Sequence, residues 1–275
     1  MELNEHFRIL KEYVATVIKS DGYLQSLFIC STGGLGKSTN VLNTLEELDI
    51  KDFVYINSYS TPVELVNLLY QYNDKIVVFD DVETMFSLGS KVTNIFKGVL
   101  WGIGRDKTRI VSYHTTSKLL KAPSSFEFTG KLIFLLNKLP NREDPLTAAM
   151  LSRSIVYEMK FSRDEILDIL KEFSKLPYKE LTEEERTKLF TYLIENTDNS
   201  NTDLSFRTLI KMYDVYTHNK EKWEHLVKPL LQKDERLYLI KRLIGENTLK
   251  EAQKEFSDVT GLSRASFYRL KAKLT

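Results

Sequence analysis

The chain has 275 residues, 42% of them apolar and 28% charged, with a formal net charge of +1. That length holds one large domain or two to three small ones, and the near-neutral balance excludes a global field drawing the protein toward nucleic acid or membrane. One cysteine, Cys30, excludes an internal disulfide framework; the four histidines lie too far apart for a zinc site, and no apolar run approaches the ~20 residues of a bilayer span. The charged start MELNEHFR lacks signal-peptide character, so a soluble, cytoplasmic protein is expected.

In chain order, the first strand candidate is SLFICS (26–31), and it runs into the glycine-rich turn STGGLGKS. Three of the chain's eleven glycines, Gly33, Gly34 and Gly36, fall within four positions. Glycine is costly to order, and such a cluster marks a backbone that turns sharply or approaches something closely. The spacing is that of a P-loop, with Ser31 where the first glycine is usual. Successive N–H groups would form an anion nest, and the helix that follows would add its positive end. Gly33, Gly34, Leu35, Gly36, Lys37, Ser38 and Thr39 are the expected nucleotide contacts. Lys37 would reach the β- and γ-phosphates of ATP, and Ser38 would offer its hydroxyl to Mg²⁺. A glycine-rich turn with an incidental lysine is the plainer reading.

DFVYIN (52–57) and KIVVFDD (75–81) are the next strands. The second ends in Asp80, placed to hold magnesium through water, and Asp81, placed to orient an attacking water as general base. The bland alternative is a strand running into a solvated acidic turn. RIVSYHTT (109–116) and APSSFEFTG (122–130) form an insert that could be a β-hairpin or an extra edge element. KLIFLLN (131–137) and SIVYEMKF (154–161) complete the set. All five main runs are near-continuously apolar, as in strands buried on both faces of a parallel sheet, and the helical stretches between them suit crossovers. From residue 162 onward the periodicity is helical, with capping-box spacings at Ser162–Glu165 and Thr182–Glu185.

These elements, in this order, resemble the AAA+ ATPases. Lys37 and Ser38 match the Walker A pair, Asp80 the magnesium aspartate of Walker B, and Asn137 the sensor-1 residue that monitors the γ-phosphate. AAMLSRSIVYEM (148–159) resembles the segment carrying the arginine finger, making Arg153 the candidate, with Arg105, Arg109 and Arg142 competing. LSFRTLIKMY (204–213) resembles the lid helix with its sensor-2 arginine, here Arg207. The resemblance implies an α/β P-loop NTPase core over 1–161 with strand order 5-1-4-3-2. An all-α lid over 162–220 and a small helical domain over 221–275 would follow. It also implies an Mg²⁺-dependent ATPase forming a homo-oligomer through shared ATP sites. Asp80-Asp81 departs from the commoner Asp-Glu, but Asp-Asp occurs in bacterial replication initiators and helicase loaders. Glu83 is a less favoured substitute base.

FSDVTGLSRASFYRLKAKL (256–274) resembles the helix-turn-helix of resolvases and many repressors, with Gly261 at the turn and Phe256, Leu262, Phe267 and Leu270 at apolar positions. Ser257 fills the small slot and Thr260 departs from the apolar norm. From Gly261 onward the chain carries Arg264, Arg269, Lys271 and Lys273 and no acidic residue. In that geometry Arg264, Ala265 and Ser266 would face base edges of duplex DNA, and Arg269, Lys271 and Lys273 would meet phosphates. A helical protein-interaction module is the competing reading.

The function expected is an AAA+ ATPase that assembles on duplex DNA in replication initiation, helicase loading or mobile-element transactions, with a helicase or other replication or recombination protein as a further partner. The alternative is a nucleotide-switched transcriptional or plasmid regulator in which hydrolysis is incidental. A partition-type ATPase ranks third, because Thr32 stands where those proteins carry a signature lysine.

Overall fold

The computed structural model describes residues 4–57, 60–86, 90–102, 107–201, 203–231, 233–272 and 274. The chain divides into two compact units, Met1–Lys160 and Phe161–Thr275.

The first unit runs α1 (Glu5–Lys19), β1 (Ser26–Cys30), α2 (Lys37–Glu47), β2 (Phe53–Ile56), α3 (Pro62–Gln71), β3 (Ile76–Asp80), α4 (Glu83–Phe86), α5 (Ser90–Leu100), β4 (Ile110–Ser112), β5 (Ser125–Glu127), β6 (Lys131–Leu136), α6 (Pro145–Leu151) and β7 (Ile155–Glu158). Five strands form one parallel sheet in the order β2-β3-β6-β1-β7. Numbered among themselves in chain order, they read 5-1-4-3-2 from the β7 edge, as the resemblance implies. The insert is the antiparallel pair β4-β5, a separate two-stranded sheet.

Register accounts for the core. Phe28 of β1, Phe134 of β6 and Phe79 of β3 lie directly opposite one another across three adjacent strands. Their rings stack, at 4.2 Å for Phe28–Phe134 and 5.2 Å for Phe79–Phe134. Phe96 of α5 meets both Phe79 and Phe134 edge-on, which closes that face of the sheet. Aromatic pairs in offset or edge-to-face contact stabilise beyond their burial, and here they lock three strands and a helix in one register.

The second unit is helical: α7 (Arg163–Lys175), α8 (Glu183–Glu195), α9 (Phe206–His218), α10 (Trp223–Val227) with a 3₁₀ turn to Leu231, α11 (Glu235–Glu246), α12 (Leu249–Thr260) and α13 (Arg264–Lys271). The capping boxes at Ser162–Glu165 and Thr182–Glu185 start α7 and α8, and a third, Thr248–Glu251, starts α12. Two hydrophobic clusters divide this unit. One gathers Leu170, Leu189, Tyr213, Trp223, Val227 and Leu231; the other gathers Ile240, Leu243, Ala252, Phe256 and Phe267. The break therefore falls after residue 231, because Trp223 packs its indole against Tyr192 and Tyr216 of the preceding helices. Gly261, with φ of 69°, ends α12 in the left-handed conformation that glycine adopts without Cβ strain, and the chain re-enters a helix at Ser263.

Candidate nucleotide site

β1 is a central strand, and its ladder with β6 continues one step past its end: Ser31 N donates to Leu136 O at 3.2 Å. The chain then turns through Gly34 (φ 77°) and Gly36 (φ 83°), both left-handed, and enters α2 at Lys37. Gly36 is the N-cap and brings no side chain, and the first turn of α2 holds no acidic residue. The leading N–H groups of α2 are thus left without a side-chain acceptor, the arrangement that suits an anion. Leu35 is buried and anchors the loop, so only its backbone can face a ligand, while Thr39 is exposed on α2.

Lys37 is only 6% exposed. Its Nζ donates to Ser31 O at 2.7 Å, Asn137 Oδ1 at 3.0 Å and Thr32 O at 3.3 Å. Burial pushes its pKa down, and the Asp80 carboxylate opposes that shift. The ammonium is thereby held over the loop by oxygens that a phosphate can replace. Ser38 Oγ donates to Asp80 Oδ2 at 2.6 Å, bringing together the two groups expected to hold the metal.

β3 ends at Asp80, which is 6% exposed. Asp81 follows with φ of 53°, a left-handed conformation uncommon outside glycine, and its N–H donates to Leu135 O at 3.2 Å. This turn swings the Asp81 carboxylate off the strand to accept from Asn137 Nδ2 at 2.7 Å. Asn137 therefore joins Lys37 through its oxygen and Asp81 through its nitrogen. The Glu83 carboxylate accepts from the Asn137 backbone N–H. The structure thus gathers Lys37, Ser38, Asp80, Asp81 and Asn137 from two parallel strand ends and one helix start.

One participant is not evident in the sequence. Tyr55, on the edge strand β2, donates its hydroxyl to Asp80 Oδ2. Burial and this bond push the phenol pKa up to about 12. The parallel pairing of β2 with β3, which sets Tyr55 opposite Val78, is the signal that could have pointed to it.

No protein-family model matches the sequence, and a search of curated proteins gives no match. Among solved structures, the Thermotoga maritima RuvB Holliday junction branch migration motor is similar over 94% of this chain and 81% of its own, at 11% identity and a TM-score of 0.52. AMPPCP-bound DnaA from Aquifex aeolicus is similar over 97% and 84%, at 15% identity and a TM-score of 0.51. At these identities the likeness is one of fold.

The chain has the AAA+ fold.

Within this AAA+ core the finger candidates separate. Arg153 follows α6 and donates to Ala149 O, so it is not part of the Lys37–Asn137 network of its own chain. Arg142 is exposed and lies 3.5 Å from Glu158. Arg109 is structural: 5% exposed, it donates to Gly130 O at 2.7 Å and Val99 O at 3.2 Å and lies 5.3 Å from the Phe128 ring centre. Burial pushes its pKa down to about 10. A guanidinium committed to two interior carbonyls cannot reach a neighbouring subunit, so Arg109 leaves the competition. Arg105 lies outside the described residues.

In the second unit, Arg207 is exposed on the first turn of α9. Arg264 and Arg269 are exposed on α13, Lys271 is half-buried, and Lys273 lies outside the described residues. The Arg264 guanidinium sits 5.6 Å from the Tyr268 ring centre. Ser266 is partly committed to its own helix, its N–H capped by Ser263 Oγ at 3.2 Å.

The site's chemistry fits magnesium. Among the described residues no three His, Cys, Asp or Glu side chains converge as a metal cage. Magnesium is commonly held by one or two protein groups, with phosphate oxygens and water completing an octahedron, and Ser38 with Asp80 supplies such a pair. Among the described residues no helix is long and apolar enough to cross a membrane.

Proposed function

We propose that the protein binds ATP with Mg²⁺ at the Lys37–Asn137 site and hydrolyses it as a homo-oligomer assembled on duplex DNA. The observation carrying this reading is the single network in which Lys37, Asn137 and Asp81 are joined by hydrogen bonds, beside the Ser38–Asp80 pair.

The proposed roles draw on that geometry. The loop amides and Lys37 grip the phosphates, with the γ-phosphate taking over the acceptor role of Ser31 O and Asn137 Oδ1. Ser38 and Asp80 hold Mg²⁺, which when bound neutralises charge on the β- and γ-oxygens. Asp81 accepts the proton of the attacking water as the water oxygen bonds to the γ-phosphorus and the β–γ bridging bond breaks to release ADP. Asn137, already bonded to Asp81, orients that water. Arg153 of a neighbouring subunit supplies the cation that stabilises the transferring phosphoryl group. Replication initiation, helicase loading and mobile-element transactions all suit this plan, and α13 is the proposed DNA-contacting helix.

The deciding experiment measures the ATPase rate of the full chain against protein concentration, with and without duplex DNA. A steep rise with both is expected, and Arg153→Ala should preserve ATP binding while abolishing the rise. A rate per subunit that stays flat would favour the nucleotide-switched regulator.

A further inference from the structure

Two hydroxyls converge on one oxygen of Asp80. Ser38 Oγ approaches Oδ2 at 2.6 Å from the start of α2, and the Tyr55 hydroxyl approaches the same oxygen from the edge strand β2. Asp80 is 6% exposed, while Tyr55 is 38% exposed. A buried carboxylate with a single donor can rotate about its Cβ–Cγ bond. A second donor from another element fixes the plane and leaves the other oxygen in a defined direction.

Ser38 cannot supply that constraint alone. Its hydroxyl must also present a lone pair to the cation, so its own orientation is one of the variables the site has to fix. Tyr55 has no place in the proposed metal shell, and its hydroxyl meets Ser38 as well as Asp80. It comes from a different element, and its backbone is held in the β2–β3 ladder opposite Val78, two residues before Asp80.

We infer that Tyr55 is a positioning residue for the metal half of the site, holding the Asp80 carboxylate so that Ser38 and Asp80 meet Mg²⁺ together. This rests on the proposed nucleotide reading. It adds a residue from outside the phosphate loop and the β3 acidic pair whose effect is confined to the metal-dependent part of ATP affinity.

The test uses Tyr55→Phe in the full chain, which keeps the ring and removes only the hydroxyl. ATP affinity is measured by calorimetry twice, in excess EDTA and at saturating Mg²⁺. The affinity in EDTA should match the parent, and the ratio of the two affinities should fall about tenfold, the low end for residues that orient a metal ligand, as suits a partly exposed phenol. An unchanged ratio overturns the inference, and so does equal weakening under both conditions, which would mean that Tyr55 supports only the fold. Lys37→Ala in EDTA keeps the two ideas apart: parental ATP affinity there would sink the nucleotide site itself, whatever Tyr55 does.

Discussion

The start of α2 and the start of α13 both present positive charge, and they hold it in opposite ways. Lys37 is 6% exposed and bonded to three oxygens supplied by its own loop and by Asn137. Arg264 and Arg269 are exposed, and Arg264 rests against an aromatic ring rather than a carboxylate. A buried, pre-aimed cation acts at short range in a medium where charge is weakly screened. Exposed cations act through a field that salt screens within about 8 Å at physiological strength. The first arrangement suits one ligand in one pose; the second suits a long polyanion met in many registers.

The harshest way to break the comparison is Lys37→Ala. Among the described residues it removes the side-chain cation of the network, together with its proposed contacts to two phosphates. Charged hydrogen bonds contribute about 1.5–3 kcal/mol each, so ATP affinity should fall by about a hundredfold or more. Equilibrium binding of a fluorescent ATP analogue reads this directly, and raising the salt concentration should change the parent's affinity little. At the other end of the chain, Arg269→Ala combined with Lys271→Ala should weaken duplex binding by an amount that salt controls. With two phosphate contacts gone, the slope of log affinity against log salt should become shallower by about 2. An unaltered slope would make α13 a protein-interaction helix.

Much of this arrangement is legible in the sequence, and the illegible parts share a cause. The glycine loop and Asp80-Asp81 are each set by a short local pattern, a strand followed by a turn, so spacing finds them, while Asn137 is named only through the family resemblance. Strand order is likewise implied by the resemblance and not by any local pattern. Tyr55 is different, because its role depends on which strand β2 pairs with and how far the phenol reaches along that edge. Arg109 misleads for a similar reason: nothing adjacent in sequence announces that Val99 O and Gly130 O will point at it. The division near residue 231 hinges on Trp223 packing back onto α8 and α9. The Thr248–Glu251 capping box, in contrast, is as readable as the two at Ser162 and Thr182.

A subtler variant sharpens the contrast from within the second unit, where Asp198 uses lysines for structure. Lys241 approaches it at 2.8 Å and Lys233 at 3.2 Å, and the Ser200 N–H donates at 2.9 Å. These bonds tie α11 to the loop after α8. Burial pushes the Asp198 pKa up, but the donors from Lys241, Ser200 and Lys233 outweigh it and hold the carboxyl well below the usual range. A depressed folded-state pKa contributes stability above the unfolded value, about 3.9, and loses it as pH falls toward the folded one. The lysines are partly exposed, so Asp198→Asn should cost about 1 kcal/mol at pH 7. Urea unfolding should show parent and variant converging as pH drops below about 4. A gap that persists undiminished at low pH would mean the loop is held by its backbone bonds, such as Asp234 N to Ser200 O at 2.8 Å, and that Lys233 and Lys241 are as uncommitted as the arginines of α13.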